Sequence, residues 1–265
     1  MATLVFVHAH PDDESTLTSG SMARASAEGH RVVTVIATNG EHGEAPEDLG
    51  PDETVADRRR REAEASASAL GVARLAWLGY ADSGMTGWDQ NLHEASFHAA
   101  DLDEAAGLLA TLLDEEHADV VVGYDWHGNY GHPDHVKVHH VVRRAVDLVG
   151  GPRPRLLEAT MNRDRLRAEA QAAREAGMGR DWDVDAPMND GNPLGMPEAQ
   201  IHWEVDVTAY LDWRRASIAA HASQVSDTAW MLELDADAFA RAFSTEFYIE
   251  PGRPPGMRRA WFLDG

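Results

Sequence analysis

Seven consecutive residues near the N-terminus, His8-Ala9-His10-Pro11-Asp12-Asp13-Glu14, combine two imidazoles with three carboxylates. They follow a short apolar run that has the length and composition of a buried strand. Ligands of open α/β sheets bind beyond the carboxyl ends of the strands, so this position suits a functional site. Because the chain contains no cysteine, a metal ion could be held only by His, Asp or Glu side chains.

The spacing of His10 and Asp13 within this cluster predicts a metal site. A histidine and an aspartate three residues apart around a turn can both reach one ion. Zinc accepts both ligand types, and a catalytic zinc site keeps one position open for water. Asp12 lies beside both residues and faces differently, which makes it a candidate general base. The alternative is a polar turn whose aspartates cap the following helix.

A second histidine-rich segment, Tyr130-Gly131-His132-Pro133-Asp134-His135, opens a predicted helix after another apolar run. One of His132 and His135 can bind a metal while the other stays free to polarise a carbonyl or protonate a leaving amine. Asp134 is placed to orient or charge a histidine. The two histidine-rich segments together therefore predict a hydrolytic metal site.

Four other histidines near these segments have weaker assignments. His8 is either a metal ligand or a hydrogen-bonded histidine behind the site. His139 and His140 are expected at the protein surface, where histidines on a helix more often lie. The role of His127 is left open.

The composition excludes several classes of partner. A formal net charge of −22 leaves no basic footprint for nucleic acid or for an anionic membrane surface. No apolar run approaches the roughly 18 residues of a membrane span, and the N-terminus lacks the basic region of a signal peptide. We therefore expect a cytoplasmic protein that acts on a small molecule, in an oligomeric state that the sequence does not predict.

Short apolar runs alternate with helical patterns, which predicts an α/β fold with a Rossmann-like, mainly parallel sheet flanked by helices. Residues 1–265 are expected to form a single domain. The expected strands, five or six in all, are residues 4–9, 31–37, 74–78, 119–122, 156–159 and 202–208. The expected helices are residues 15–28, 54–70, 102–117, 133–149, one that ends near 176 and one that ends near 222.

The segments His10-Pro11-Asp12-Asp13-Glu14 and His132-Pro133-Asp134-His135 together resemble the PIG-L/LmbE-like deacetylase family. The similarity covers roughly residues 3–225 and includes His221-Ala222-Ser223-Gln224. Within the family, the chain is most similar to the actinobacterial mycothiol-pathway members, an N-acetylglucosaminyl-inositol deacetylase and an S-conjugate amidase. It shares Tyr80-Ala81-Asp82-Ser83-Gly84-Met85 with them.

The resemblance implies a zinc ion held by His10, Asp13 and His135. Iron(II) also suits a site of two histidines and one aspartate. The resemblance further implies that Asp12 is the base that activates water. It makes His132 the electrophilic or acidic group.

Further residues are assigned to the substrate by the same resemblance. Tyr130 would help to stabilise the oxyanion. Arg59 and Asp82 would bind hydroxyl groups of the sugar or inositol. The alternative for Arg59 is a solvated helix face, since it belongs to a run of four arginines, Arg58–Arg61. The alternative for Asp82 is a turn-capping role.

The implied reaction is hydrolysis of the N-acetyl group of an amino sugar, such as an N-acetylglucosaminyl conjugate, by metal-activated water. Leu17 stands where the deacetylases carry a small polar residue and the amidases a lysine, so amidase-like hydrolysis stays an alternative. A His-x-His amidohydrolase or phosphoesterase is a second alternative, although its barrel needs eight βα units. A non-catalytic sugar-binding relative is the third, although it would be expected to have lost Asp12 or a metal ligand.

Residues 181–197 are rich in Pro, Gly and Asn and are expected to form an irregular, lid-like loop. Irregular loops of this length are usually functional or disordered. We therefore predict that the loop borders the active site and influences substrate choice. Met188, Leu194 and Met196 could cover an acyl or aglycone group, whereas Trp182 could stack on a sugar, although a core or surface position is the commoner outcome.

Overall fold

The computed structural model describes residues 1–175, 177 and 183–264 of the chain. Its strands are β1 (Thr3–His8), β2 (Arg31–Thr38), β3 (Arg74–Tyr80), β4 (Val120–Tyr124), β5 (Arg155–Thr160), β6 (Trp203–Asp206), β7 (Thr245–Ile249) and β8 (Arg258–Arg259). In the described part of the chain these strands form one sheet in the order β3-β2-β1-β4-β5-β7-β6-β8. Strand β7 runs antiparallel to β5 and β6, whereas the other neighbours pair in parallel.

The prediction of an α/β fold with a mainly parallel sheet is confirmed, but the predicted strand number was wrong. The two strands that were missed are β7 and β8. A charged residue, Glu246, is buried near the start of β7, and β8 contains only two residues. Although the sheet has eight strands across the described residues, it is open, because β3 and β8 each pair on one side only.

The α-helices of the described residues are α1 (Asp13–Leu17), α2 (Ser19–Ala27), α3 (Val55–Ala69), α4 (Leu102–Glu116), α5 (Gly128–Gly131), α6 (Pro133–Leu148), α7 (Arg163–Glu175), α8 (Leu211–Ala220), α9 (Val225–Leu232) and α10 (Ala236–Phe243). Helices α9 and α10 were not predicted. None of the helices in the described ranges is long and apolar enough to cross a membrane.

The expected helix over 15–28 is divided in two at Thr18. The backbone of Thr18 is not helical, with φ −129° and ψ 0°. Its hydroxyl lies 3.0 Å from Nε2 of the buried His8, so a tertiary contact coincides with the break. The expected end of the helix near 176 lies outside the described residues.

Side chains of β1 alternate between two apolar cores, one on each face of the sheet. Val5 and Val7 pack on one face with residues of α4 and α6. Leu4 and Phe6 pack on the other face with residues of α2 and with the C-terminal Trp261 and Phe262. Burial on both faces explains the continuous apolar run that marks this strand in the sequence.

The strand order reverses between β1 and β4. Strands β2 and β3 lie on one side of β1, and β5 lies beyond β4. Such a switch point opens a crevice at the carboxyl edge of a parallel sheet. The two histidine-rich segments follow β1 and β4, so the topology brings both to this crevice.

Candidate active site

The segment after β4 packs unusually close to the start of α6. Gly128 has a φ of +64°, and a Cβ atom on it would lie 2.4 Å from Cβ of His135. Glycine is the residue that tolerates this conformation and this approach. The close contact places the Tyr130–His132 stretch over the first turn of α6, facing the residues that follow β1.

Two histidines and an aspartate meet in this crevice. Asp13 Oδ2 lies 3.5 Å from His10 Nδ1, and Asp13 Oδ1 lies 3.2 Å from His135 Nε2. The Asp13 carboxylate also accepts a hydrogen bond from the backbone N–H of His10 at 2.7 Å. The structure therefore brings together the three residues that were predicted as metal ligands.

In the described part of the chain, two groups of three residues have all their potential ligand atoms within 4.8 Å of one another, and the predicted set of His10, Asp13 and His135 is not one of them. One consists of His10, His132 and His135, and the other of His10, Asp82 and Asp134. Both share His10 with the predicted set. His132, which caps the N-terminus of α6, and His135, in its first turn, can therefore both reach the same point.

The chemistry of the cluster fits a divalent cation. Imidazole nitrogen and carboxylate oxygen are ligand types that zinc and iron(II) accept. His135 presents Nε2 to the Asp13 carboxylate, and its other ring nitrogen, the buried Nδ1, has no hydrogen-bond partner among the described residues. Although burial lowers the pKa of His10, the carboxylates of Asp82, Asp13 and Asp134 raise it well above its ordinary value. The carboxylates therefore favour positive charge at this point.

Asp12 lies beside the cluster in a strained backbone conformation. Its φ of 113° is in the region that residues other than glycine rarely adopt. Burial raises the pKa of its carboxyl group to about 6, against the opposing charge of Arg59. Strain of this kind is retained where the surroundings impose it, often at functional sites.

Arg59 is buried, which excludes the alternative of a solvated helix face for this residue. Only 4% of it is exposed, and its Nη2 donates to Asp12 Oδ2 at 2.8 Å. The guanidinium also donates to the carbonyl oxygens of Pro11 and Gly40. It therefore holds the loop that carries Asp12, and it lines the cleft as well.

His132 is held in one orientation by the start of α6. Its Nδ1 accepts the backbone N–H of Asp134 at 3.2 Å, so in the neutral ring the proton is on Nε2. Burial lowers the pKa of His132 to about 3, with the nearby rings of His10 and His135 acting in the same direction. The neutral ring is thus a hydrogen-bond donor through Nε2. Tyr130 lines the same cleft, and its hydroxyl lies 3.4 Å from His135 Nε2.

Asp134 lies behind the site rather than at its surface. It is fully buried, and its Oδ2 lies 3.2 Å from His10 Nε2. Both of its oxygens also accept hydrogen bonds from Ser83. The side chain was expected to orient or charge a histidine, and the histidine that it contacts is His10. Asp134 has no exposed surface and does not line the cleft.

Asp82 has the turn contact that was the alternative to a substrate role. Its Oδ1 accepts the backbone N–H of Gly84 at 2.8 Å. The same oxygen lies 3.5 Å from His10 Nε2, and the residue lines the cleft. Both roles are therefore compatible with its position.

The structure shows the positions of the four histidines whose roles were left open or weakly assigned. Both ring nitrogens of the buried His8 are engaged, Nδ1 with Tyr124 at 3.1 Å and Nε2 with Thr18 at 3.0 Å, so His8 lies behind the site. His139 is buried and bonded to the Tyr124 carbonyl, so its predicted surface position was wrong, whereas His140 is exposed. His127 is buried, with Nε2 3.2 Å from the Gly195 carbonyl.

A buried polar network below Asp12 was not predicted. Glu14 Oε2 accepts the backbone N–H of Asp12 at 3.0 Å, and Glu14 Oε1 accepts from His221 Nε2 at 2.7 Å and from Ser66 Oγ at 2.6 Å. Glu14 and His221 both stand in segments that carried the family resemblance. Their pairing was missed because no local pattern relates residues so far apart in the chain.

A cleft of about 680 Å³ has His10, Asp12, Asp13, His132 and His135 in its lining. Met188 and Leu194 of the irregular loop line it, whereas Met196 is buried elsewhere. The loop is held to the segment after β4 by two backbone hydrogen bonds, from Asn189 to the Tyr130 carbonyl at 3.1 Å and from Gly195 to the Asn129 carbonyl at 2.8 Å. Residues 183–197 run as turns and bends, and Trp182 lies outside the described residues.

Comparisons with known proteins agree with this architecture. The family model described as PIG-L, GlcNAc-PI de-N-acetylase, matches residues 5–146. A 1D-myo-inositol 2-acetamido-2-deoxy-alpha-D-glucopyranoside deacetylase of Acidothermus cellulolyticus is 38% identical, over 93% of this chain and 88% of its own.

Two solved structures share the fold. The N,N'-diacetylchitobiose deacetylase from Pyrococcus horikoshii has a TM-score of 0.58 at 23% identity, covering 94% of this chain and 82% of its own. A conserved protein of Thermus thermophilus has a TM-score of 0.61 at 20% identity, covering 98% of this chain and 99% of its own. At these identities the likeness concerns the fold and not the substrate.

Proposed function

The chain belongs to the PIG-L (GlcNAc-PI de-N-acetylase) family, and from this membership and its cleft we propose that it hydrolyses the N-acetyl group of an N-acetylglucosaminyl conjugate. The observation that carries the proposal is the meeting of His10, Asp13 and His135 beside Asp12 on the floor of one cleft. The Acidothermus relative is named for the deacetylation of an inositol-linked sugar, which supports the same class of substrate here.

We propose that His10, Asp13 and His135 hold a divalent ion, zinc or iron(II). When bound, such an ion polarises a carbonyl and lowers the pKa of water toward neutrality. The approach of His10 Nδ1 and His135 Nε2 to the Asp13 carboxylate and the carboxylates around His10 support this assignment.

Asp12 is proposed as the general base. It would take a proton from the attacking water as the oxygen of that water bonds to the amide carbon. The C–N bond then breaks, and the nitrogen takes up the proton that Asp12 removed from the water and leaves as an amine, with acetate as the second product. Arg59 bonds to the Asp12 carboxylate at 2.8 Å and keeps it oriented within the cleft.

His132 and Tyr130 are proposed to stabilise the developing oxyanion. The N–H on Nε2 of His132 is free of the bond that holds Nδ1, so it can donate to the carbonyl oxygen. The Tyr130 hydroxyl lines the same cleft. Asp82 and the remaining donors of Arg59 are proposed to contact hydroxyl groups of the substrate.

Acetate release tests the proposal. The zinc-loaded and iron-loaded proteins are assayed with N-acetylglucosamine and with its inositol-linked conjugate, alongside the Asp12→Asn variant as control. Release that depends on the metal and falls strongly in the variant supports the proposed reaction. Equal release from the wild-type protein and the variant, or none from either sugar with either metal, contradicts it.

A further inference from the structure

The mouth of the cleft is lined by large apolar side chains that are open to solvent. Trp88 is 46% exposed, Met161 37%, Met188 38% and Trp230 51%. Burying apolar surface of this size is favourable, so groups of this kind left open around one cleft mark a binding surface. We call these four side chains the apolar rim.

The four residues come from separate parts of the fold. Trp88 follows β3, Met161 follows β5, Met188 belongs to the irregular loop, and Trp230 lies in α9. The apolar lining continues inward from the rim through the less exposed side chains of Leu17, Met85, Leu194 and Met231. The rim is therefore continuous with the floor that carries the proposed chemistry.

The charges of the cleft argue against an anionic group at the rim. The one arginine in the described lining, Arg59, is bonded to Asp12 and to two carbonyl oxygens, and no lysine lines the cleft there. A phosphate or carboxylate at the rim would find no lysine in the described lining and no arginine that is not already bonded. An uncharged apolar group suits the lining instead.

We propose that the apolar rim binds an apolar aglycone, an aryl or alkyl group attached to the amino sugar; this rests on the proposed function. The reacting carbonyl must lie at the floor, next to Asp12 and His132. The sugar occupies the middle of the cleft, so the group that reaches the exposed mouth is the one attached on the far side of the sugar. The rim thus determines which conjugates of the amino sugar are preferred.

The residue types suit such a ligand. Tryptophan presents a large rigid apolar face, and methionine adapts to groups of different shape. The lining contains four methionines, Met85, Met161, Met188 and Met231. This combination favours binding of apolar groups of different shapes.

Trp88 is fixed relative to the floor. Its ring packs on Gly84, where a Cβ atom would lie 2.6 Å from Cε3 of the ring, at a φ of +65°. The N–H of Gly84 is in turn bonded to Asp82 Oδ1 at 2.8 Å. The aromatic face therefore stands at a set distance from the proposed sugar contacts, as a preorganised subsite requires.

Binding measured without turnover separates this proposal from the proposed function. Isothermal titration calorimetry compares the methyl and phenyl glycosides of glucosamine, which carry no acetyl group to hydrolyse. Burying a phenyl ring on the rim should strengthen binding by about tenfold or more relative to methyl. The double variant Trp88→Ala/Trp230→Ala should lose this advantage and keep the affinity for the methyl glycoside within about twofold.

Trp213→Ala serves as the matched control, because Trp213 is 37% exposed on α8 and does not line the cleft. It should keep the full preference for phenyl. Equal affinity for both glycosides in the wild-type protein overturns the proposal, and so does a phenyl preference that survives the double variant. A further arm measures hydrolysis of N-hexanoyl against N-acetyl methyl glucosaminide. A rim-dependent gain there would assign the rim to the acyl chain and also overturn the proposal.

Discussion

Glu14 and His221 are 207 residues apart in the chain, yet His221 Nε2 lies 2.7 Å from Glu14 Oε1. Both are buried. Burial raises the pKa of Glu14, but the charge and hydrogen bonds of His221 and the hydroxyl of Ser66 lower it to about 2. The other oxygen of Glu14 accepts the backbone N–H of Asp12, so this pair holds the strained turn from below.

We expect His221→Ala to lower kcat by about tenfold or more, since a small misplacement of a reacting group is costly. The KM should change little, because His221 does not line the cleft. His221→Gln keeps an N–H for Glu14 and should recover part of kcat. Steady-state kinetics with melting curves test this. If kcat falls only in proportion to the folded fraction, the pair has a structural role alone.

The metal content of two histidine variants distinguishes the candidate ligands. The wild-type protein should bind one divalent ion, and His135→Ala should lose it after dialysis against a chelator. His132→Ala should retain the ion and lose rate, by about 10²–10³-fold for a lost oxyanion donor. Metal analysis of the dialysed proteins shows whether His132 or Asp13 completes the site with His10 and His135. Loss of the ion from both variants would assign the site to the alternative group of His10, His132 and His135.

Asp12→Asn should retain the metal and lose about 10²–10⁴-fold in rate, because an amide cannot take the proton of the attacking water. Arg59 can still donate to the amide oxygen, so the fold of the loop should persist. Metal content and kcat are measured on the same preparation. Near-normal rate with full metal would show that another group activates the water.

Shortening the loop between Met188 and Leu194 should change the preference among N-acetyl amino sugars that differ in their aglycone. Both side chains line the cleft, whereas none of the proposed metal ligands belongs to the loop. The metal content should therefore be unchanged. Relative kcat/KM values over a panel of such sugars test this. An unaltered order of substrates would show that the loop does not influence substrate preference.

Glu158 should make stability depend on pH. Burial raises its pKa from 4.5 to about 7, although the ion pair with Arg143 lowers it. The folded state therefore binds more protons than the unfolded state between pH 4.5 and about 7. The stabilisation from this group is full below pH 4.5 and is lost as the pH rises through about 7.

We expect the free energy of unfolding of the wild-type protein to fall by about 1–3 kcal/mol more than that of Glu158→Gln between pH 5 and 8. Denaturant unfolding at both pH values measures the difference. Parallel pH profiles for the two proteins would show that Glu158 keeps an ordinary pKa.

The fold class and the cluster of site residues were predictable from local sequence. The run before His10 is apolar because β1 is buried on both faces, and the Pro133 that opens α6 marks a helix start. Parallel strands bring their carboxyl ends to one edge, so the segments after β1 and β4 were expected to meet. These features depend on neighbours in sequence, which a linear pattern records.

The tertiary structure alone decided which side chains face each other. The buried state of Arg59 could not be read from a run of four arginines, since it depends on contacts with Asp12 and with the carbonyl oxygens of Pro11 and Gly40. The Glu14–His221 pair, the assignment of Asp134 to His10 and the apolar rim likewise join residues from separate elements. Such contacts cannot be read from neighbouring residues in the sequence, because the packing of distant elements determines them and local propensity does not.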